Sequence, residues 1–327
     1  MNAPVADIWL ESCLEPLAPW LERRDVTDIY VNRPAEVWVE SLGGAIERFV
    51  VPELSREVLI RLARQIAAVS AQGISREHPL LAASLPTGER VQVVIPPATR
   101  GDVVIAIRKH VVSGLSLDDY ERNGAFSETA STPASDRSLG EGIKIEQGNY
   151  VDVLRDAVRG RRNVLISGGT SSGKTTFLNA LLREIPIKER LILIEDTPEL
   201  QLNHPNAVGL IATRGGQGEA DVTAEDLLIA SLRLRPDRII LGEIRGSEAV
   251  TFLRAVNTGH PGSLTTIHAD SPHRAIDQLA LLVLQTGMRM RWDDVVTYVR
   301  RSLDLIVQLE RGKGGRLISA VLAVSNG

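Results

Sequence analysis

The chain has 327 residues, which is long for one hydrophobic core and sufficient for two domains. Hydrophobic residues make up 43% and charged residues 24%, as in ordinary globular proteins, and the net charge of −4 argues against bulk coating of nucleic acid. The single cysteine, Cys13, excludes an internal disulfide and a cysteine-based zinc module.

The sequence also argues against a signal peptide and a membrane-spanning helix. Acidic residues at Asp7 and Glu11, with no basic start, lead us to expect no signal peptide. No run approaches the ~18 consecutive apolar residues that a membrane helix needs. We therefore expect a cytoplasmic protein.

Residues 1–112 alternate short strand patterns with helical ones. The runs DIYVN, EVWVE and AIERFV predict strands, separated by turns at 32–34 and at Gly43-Gly44. Apolar residues in SREVLIRLARQIAAVSAQG recur at helical spacing up to Gly73, and RVQVVIPP and VVIAIRKH predict two more strands. Because no long helix separates each pair of strands, we expect a smaller α+β N-terminal domain.

Residues 113–149 differ from both flanks. They are rich in Ser, Gly, Asp and Glu and have little apolar periodicity, which predicts an interdomain linker with at most one short helix. From 150 to 327 strand and helix patterns alternate: RNVLISG, RLILIED, DRIILGEIRG and GSLTTIHAD predict strands with helices between them. This alternation predicts an α/β domain with a parallel-type sheet covered by helices on both faces.

The run GGTSSGKTTFLNALL contains the spacing Gly168-x-x-x-x-Gly173-Lys174-Thr175. It follows an apolar strand and opens a helix, which is the context that a phosphate-binding loop requires. The loop backbone and the helix N-terminus would hold the phosphates of ATP. Lys174 would reach the β- and γ-phosphates, and the Thr175 hydroxyl would bind Mg²⁺. The buried helix face is predicted to comprise Phe177, Leu178, Leu181, Leu182 and Ile185.

Three further strands end on groups suited to phosphate chemistry, namely Glu195, Glu243 and His268. Ligands of open parallel sheets bind at the carboxyl ends of the strands, so these side chains are expected near the phosphates. One glutamate would act as base and the other would help to hold the metal; the sequence leaves open which does which, and we favour Glu195 as base and Glu243 with the metal. His268 is a candidate sensor of the γ-phosphate. His260 and His273 lack the strand-end position and are interpreted as turn or surface residues.

With these residues in place, the chain resembles the secretion or traffic ATPases, hexameric motors of type II and type IV secretion, pilus assembly and pilus retraction. Four segments carry the resemblance in order: GGTSSGKT, LIEDTPEL, LRPDRIILGEIRG and GHPGSLTTIHADSPHRAIDQL. The N-terminal runs LEPLAPWLERRDVTDIYVNRPAEVWVE and LPTGERVQVVIPP are similar to the VirB-type assembly ATPase of type IV secretion systems. The resemblance implies a RecA-like fold for the C-terminal domain and ATP hydrolysis with Mg²⁺.

The resemblance also implies that ATP lies between the two domains and that N-terminal arginines reach its phosphates. Arg90 and Arg108 match those positions, and Arg100 is a weaker third candidate. The family loop usually reads G-x-T-G-S-G-K-T, whereas this chain has Ser171 in place of a glycine. If position 171 requires a positive φ, serine adds strain there, and we expect slower or more tightly controlled turnover without loss of binding.

The resulting site predictions fall into three groups. The catalytic set is Glu195, Glu243, His268 and Lys174. The nucleotide-binding set is Gly168, Gly169, Thr170, Ser171, Ser172, Gly173, Lys174, Thr175, Thr176, Arg90 and Arg108. The metal-binding set is Thr175 and Glu243.

The resemblance implies a homo-hexamer that works with other type IV secretion components at the inner membrane, including a coupling protein or second ATPase, with peripheral membrane contact and no sequence-specific nucleic-acid binding. Two other motor readings share the same core: a nucleic-acid translocase or helicase, and a pilus or type II secretion motor. A third reading is a nucleotide-gated scaffold that binds without hydrolysis. The acidic balance of the chain argues against the translocase, and the set Lys174, Thr175, Glu195 and Glu243 argues against the scaffold.

Overall fold

A computed structural model describes residues 5–42, 44–109, 114–131, 148–212, 221–312 and 315–324. The chain divides into two compact units, one within Met1–Val112 with a short segment that ends at Val222, and one that holds the remainder from Ser113. Gly43 of the predicted turn, His110 of the predicted strand VVIAIRKH, and residues 113 and 132–147 of the predicted linker lie outside the described residues. No helix in the described part of the chain is long and apolar enough to cross a membrane.

The first unit is a six-stranded antiparallel sheet with helices. Its strands are β1 (Val26–Val31), β2 (Glu36–Ser41), β3 (Ile46–Val50), β4 (Leu80–Ser84), β5 (Arg90–Val94) and β6 (Val104–Arg108), and its helices are α1 (Val5–Leu14), α2 (Ala18–Leu21) and α3 (Arg56–Val69). The strand order is β3-β2-β1-β6-β5-β4, and neighbouring strands run antiparallel. This arrangement confirms the predicted α+β class, with β4, α1 and α2 as additional elements.

Helix α3 shows how the first unit is built. Ser55 caps it by accepting a hydrogen bond from the Val58 N–H, and the residues at helical spacing, Leu59, Leu62, Ala63, Ile66 and Ala67, are buried. The helix ends at Val69, before the predicted stop at Gly73. The Ser70 hydroxyl bonds back to the Ile66 carbonyl, and Ala71 turns the chain away with a φ of 51°.

The second unit is a three-layered α/β structure. Its strands are β7 (Ala130–Ser131), β8 (Val164–Gly168), β9 (Leu191–Glu195), β10 (Ala207–Ile211), β11 (Arg238–Leu241), β12 (Leu264–Ile267), β13 (Leu305–Gly312) and β14 (Gly315–Ala323). Its helices are α4 (Leu117–Arg122), α5 (Tyr150–Arg159), α6 (Lys174–Leu182), α7 (Ala224–Ser231), α8 (Glu248–Asn257), α9 (Pro272–Gln285) and α10 (Trp292–Ser302).

The sheet of the second unit has the strand order β10-β9-β11-β12-β8-β13-β14-β7. The pairs from β10 to β13 are parallel, as predicted, whereas β13 and β14 form an antiparallel hairpin. Side chains of β8 alternate between two cores: Val164 and Ile166 pack with α5 and α6, and Leu165 packs with α7 to α10. Helices therefore cover both faces, and the carboxyl ends of six parallel strands meet at one edge.

Part of the range expected to be a linker is packed structure. Ser116 and Asp119 form a capping box that starts α4, and Leu117 and Tyr120 are buried in the core of the second unit. The Tyr120 ring lies edge-on to Phe177 of α6, with ring centroids 5.1 Å apart. Residues 114–131 are therefore anchored to the domain that holds the predicted phosphate loop.

The amino edge of the same sheet is closed by a buried ion pair. Arg238, the first residue of β11, is 0% exposed. Its Nε and Nη2 donate to the two carboxylate oxygens of Glu189 at 2.7 and 3.0 Å, and Nη1 donates to the Val158 carbonyl at 2.6 Å. The guanidinium thus ties the end of α5 to the turn before β9.

Candidate active site

The predicted phosphate loop connects β8 to α6. A Cβ at Gly168 would lie 2.5 Å from Ser172 Oγ and 2.6 Å from the Leu309 carbonyl, so only glycine fits. At Gly169 no atom lies within 4 Å of that position, which leaves the backbone open to a ligand. Gly173 has a φ of 93° and forms the N-cap of α6. The loop therefore fits a bound phosphate chain.

Ser171 lies in the left-handed region, with a φ of 60°. The usual family loop has a glycine at this position, and serine was expected to add strain if the backbone required a positive φ. The backbone does have a positive φ here. For a residue with a Cβ, this region costs on the order of 1 kcal/mol. The loop consequently holds strain at a position where its side chain is exposed.

Lys174 reaches back into the loop that precedes it. Its Nζ donates to the carbonyls of Gly168 and Gly169 at 2.8 and 2.9 Å, and it lies 3.4 Å from His268 Nδ1. The residue as a whole is only 7% exposed. The ammonium is therefore held at the mouth of the loop, where the motif places the phosphates.

His268 joins two of the other predicted residues. It follows β12, and its Nε2 lies 2.7 Å from Glu243 Oε1, while its Nδ1 faces the Lys174 ammonium. An ammonium only donates and a carboxylate only accepts, so the neutral tautomer that suits both contacts has its proton on Nε2 and a lone pair on Nδ1. Three residues from separate segments thus form one continuous series of side-chain contacts, Lys174–His268–Glu243, at the carboxyl edge.

Arg245 is a member of this cluster that the sequence analysis did not identify. Its guanidinium pairs with Glu243 Oε2 and lies 3.6 Å from Asp196, which follows β9. The Glu248 carboxylate accepts from the Arg245 and Gly246 N–H groups at 2.6 and 2.8 Å and so fixes the turn. The signal was present in the run GEIRG, where an arginine stands two residues after the strand-end glutamate.

The charge state of Glu243 follows from these neighbours. Burial alone raises the pKa of the Glu243 carboxyl, but the hydrogen bond from His268 and the charge of Arg245 outweigh it. The pKa therefore lies below its ordinary value, and the carboxylate is ionised at neutral pH. An ionised carboxylate is the form that accepts protons and binds metal-bound water.

Glu195 ends β9 but has a different environment from Glu243. It is 8% exposed, and its Oε1 accepts hydrogen bonds from the Glu199 and Leu200 N–H groups, each at 2.7 Å. Asn179 of α6 holds the same loop through the Glu199 carbonyl and the Gln201 N–H. This carboxylate thus organises the segment that follows its own strand.

The predicted arginines belong to the first unit. Arg90 of β5 and Arg108 of β6 are direct cross-strand partners, and Arg108 is also opposite Asp28 of β1. Side chains of directly opposed residues project from the same face of a sheet. The two arginines therefore form an adjacent pair on one face of the N-terminal sheet.

Each residue predicted to hold Mg²⁺ can supply one ligand to the metal. Thr175 lies in the first turn of α6 and is partly exposed. Among the described residues there is no group of three or more His, Cys, Asp or Glu side chains arranged to hold a metal. A magnesium ion of this kind of site takes most of its ligands from phosphates and water, so one hydroxyl fits it.

Comparison with known proteins places this geometry in a family. Residues 136–313 match the model of the type II/IV secretion system protein family. The chain is 41% identical over 322 residues to the type IV secretion system protein VirB11 of Brucella suis biovar 1, covering 94% of this chain and 88% of that protein. It is 38% identical over 317 residues to VirB11 of Bartonella quintana, covering 92% and 89%.

A solved structure agrees with the sequence relatives. The crystal structure of the VirB11 ATPase of the Brucella suis type IV secretion system, in complex with sulphate, is similar with a TM-score of 0.51 and 38% identity. The match covers 96% of this chain and 97% of that chain. The predicted RecA-like ATPase domain with an additional N-terminal domain is thereby confirmed. The chain belongs to the type II/IV secretion system protein family, as an ATP-hydrolysing member of its VirB11 group.

Proposed function

We propose that this chain forms a hexameric ring that hydrolyses ATP to power assembly of, or substrate transfer through, a bacterial type IV secretion system. The observation that carries the proposal is the chain of contacts Lys174–His268–Glu243 beside the phosphate loop. A mere strand-to-helix turn needs none of these three side chains, whereas phosphoryl transfer needs a cation and an ionised carboxylate at the phosphates.

We assign nucleotide binding to the loop from Gly168 to Thr176. Its open backbone at Gly169 and the N-terminus of α6 suit the phosphate chain, and Lys174 neutralises the β- and γ-phosphates. Thr175 is the protein ligand of Mg²⁺, and a bound magnesium ion supplies positive charge to the phosphates. Ser172 lies against Gly168, which helps to hold the shape of the loop.

We assign the two glutamates to the attacking water and the metal shell. Glu243 is aligned with Lys174 through His268, which supports a place in the shell of metal-bound water. Glu195 is the proposed base; its Oε1 already accepts two N–H bonds, so proton transfer falls to the other oxygen or follows release of the loop. His268 senses the γ-phosphate, because a ligand on Lys174 changes the partner of its Nδ1.

Arg90 and Arg108 are the proposed arginine contacts to the phosphates. Their adjacent placement on β5 and β6 supports a joint role, since two guanidinium groups stabilise the charge of a transferring phosphoryl group. We further propose that residues 1–112 and 150–327 act as two domains, with residues 113–149 connecting them. The ring works at the cytoplasmic face of the inner membrane with other secretion components, including a coupling protein or second ATPase.

One experiment tests the class and the mechanism together. ATPase turnover and particle mass are measured on the full chain, with and without ATP. We expect Mg²⁺-dependent hydrolysis and a particle six times the monomer mass. Absence of hydrolysis contradicts the proposal, and so does a stable monomer at all concentrations. Turnover stimulated by DNA, with strand unwinding, would identify a nucleic-acid translocase instead.

The sensor role of His268 has its own test. His268→Ala removes the link between Lys174 and Glu243, and we expect a drop in turnover of about tenfold with ATP binding retained. His273→Ala, an exposed histidine on α9, is the matched control. The sensor role is wrong if His268→Ala retains both wild-type turnover and wild-type coupling to secretion.

A further inference from the structure

Gln308 is a polar residue in a strand that is otherwise apolar along its buried length. It lies in the middle of β13, between Val307 and Leu309, and is 2% exposed. Its strand neighbour on β8 is Ser167, the residue before Gly168 of the phosphate loop. An amide at this depth is unusual for a parallel strand, where continuous apolar runs are the rule.

The amide of Gln308 makes one hydrogen bond that points to the active site. Its Nε2 donates to the Ala269 carbonyl at 3.2 Å, and the Ser167 hydroxyl donates to the same oxygen at 3.3 Å. A carbonyl oxygen only accepts, so the NH₂ end of the amide must face it. The residue after His268 is therefore held by two side chains, one from β13 and one from the strand that carries the phosphate loop.

The oxygen end of the Gln308 amide differs from its NH₂ end. Oε1 of Gln308 is buried and, within the described part of the chain, has no hydrogen-bond partner. An unsatisfied buried amide oxygen costs more free energy of folding than one neutral hydrogen bond returns. Gln308 is thus a net burden on folding, and a methionine of similar length would fill the space at lower cost.

We propose that Gln308 is a positioning residue for His268, retained at the expense of stability. It fixes the Ala269 carbonyl, and thereby the backbone that aims the imidazole between Lys174 and Glu243. Together with Ser167 it couples the histidine loop to the strand that ends in the phosphate loop. This inference rests on the proposed role of His268 in hydrolysis.

The test is Gln308→Met in the full chain, which keeps the side-chain length and removes both polar atoms. We expect kcat to fall about fivefold, the rate equivalent of one neutral hydrogen bond, with KM for ATP within twofold of wild type. We expect the midpoint of thermal unfolding to stay the same or to rise. If the role of Gln308 were purely structural, the midpoint of thermal unfolding would fall in this variant.

The matched control is Ile306→Met, which introduces the same side chain two residues earlier on the same face of β13. Ile306 is buried and has no polar atom in its side chain, so this change perturbs packing alone. We expect a lower unfolding midpoint and an unchanged kcat. Ser167→Ala removes the second bond to the Ala269 carbonyl and provides an independent variant, with the same expected loss in kcat.

A double-variant cycle decides whether Gln308 acts through His268. In the His268→Ala background, Gln308→Met is expected to change kcat by less than twofold. An equal loss in both backgrounds overturns the inference, and so does wild-type kcat in Gln308→Met, or a fall in kcat that accompanies a fall in stability. If wild-type protein hydrolyses ATP and His268→Ala lowers kcat while Gln308→Met does not, only the role of Gln308 fails and the proposed function stands.

Discussion

The two edges of the second-unit sheet use the same kinds of side chain in opposite ways. At the amino edge the Arg238 guanidinium is 0% exposed, with the Glu189 side chain at 12%, and its contacts tie backbone segments together. At the carboxyl edge the side chains of Arg245 and His268 are 38% and 46% exposed, and their charged contacts link side chains of separate strand ends. A buried, fully paired charge holds the backbone segments in place, whereas partly exposed charged side chains in contact with one another can exchange partners with a ligand.

This difference predicts that variants at the carboxyl edge alter turnover and leave folding intact, and that variants at the amino edge do the reverse.

The largest effect is expected for Lys174→Ala. Loss of the cation that meets the phosphates should lower turnover by about a thousandfold or more, because Lys174 is the one cationic side chain between Gly168 and Thr176. ATPase assays and thermal unfolding check this, with exposed Lys188→Ala as control. Normal turnover of Lys174→Ala would refute the phosphate-loop assignment.

Arg238→Met breaks the amino edge. Removal of the guanidinium leaves the Glu189 carboxylate paired with the partly exposed Arg161, 3.3 Å away. We expect a loss of about 3 kcal/mol in the free energy of unfolding, the lower end for a broken buried pair. Turnover per folded molecule should not change. The double variant Arg238→Met with Glu189→Leu should recover most of the loss; if it does not, packing of the arginine stem is the larger contribution.

Glu243→Gln and Glu195→Gln separate the two carboxylates of the carboxyl edge. Each should still bind ATP and hydrolyse it about a hundredfold more slowly, since an amide neither accepts a proton nor carries charge. The two differ in their contacts: the amide at 195 can still accept the N–H bonds of Glu199 and Leu200, whereas the amide at 243 loses its charged pair with Arg245. Nucleotide affinity and single-turnover rates measure the split. Near-normal chemistry in Glu195→Gln would transfer the role of base to Glu243.

The smallest effect is expected for Ser171→Gly, which relieves the left-handed backbone of the loop. Its matched control is Arg235→Gly, because Arg235 has a φ of 54° in an exposed position just before β11 at the amino edge. Both changes should stabilise the fold by about 0.5–1 kcal/mol. Only Ser171→Gly should change turnover, with an increase of less than fivefold. An equal response of turnover in the two variants would mean that loop strain does not control the reaction.

Much of the site was predictable because it lies in short continuous motifs. The phosphate loop, the helix after it and the strand-end residues Glu195, Glu243 and His268 follow from local pattern, and the buried helix face from Phe177 to Ile185 is confirmed. Arg245 was missed although it lies two residues from Glu243, since an arginine after a strand is usually a solvated surface residue. Gln308 was missed because a single amide in an apolar run gives no motif.

The amino-acid sequence alone was sufficient to predict the class of this protein: two domains, an ATP-binding loop and a secretion-ATPase order of motifs. These features depend on neighbours in the chain, where backbone propensity and residue spacing carry the information. Which strand ends meet became known from the folded sheet. The order β9-β11-β12-β8-β13 brings Glu243, His268 and Lys174 into one chain and sets Gln308 beside the phosphate-loop strand. Such contacts join residues far apart in the sequence, and packing of the whole sheet selects them.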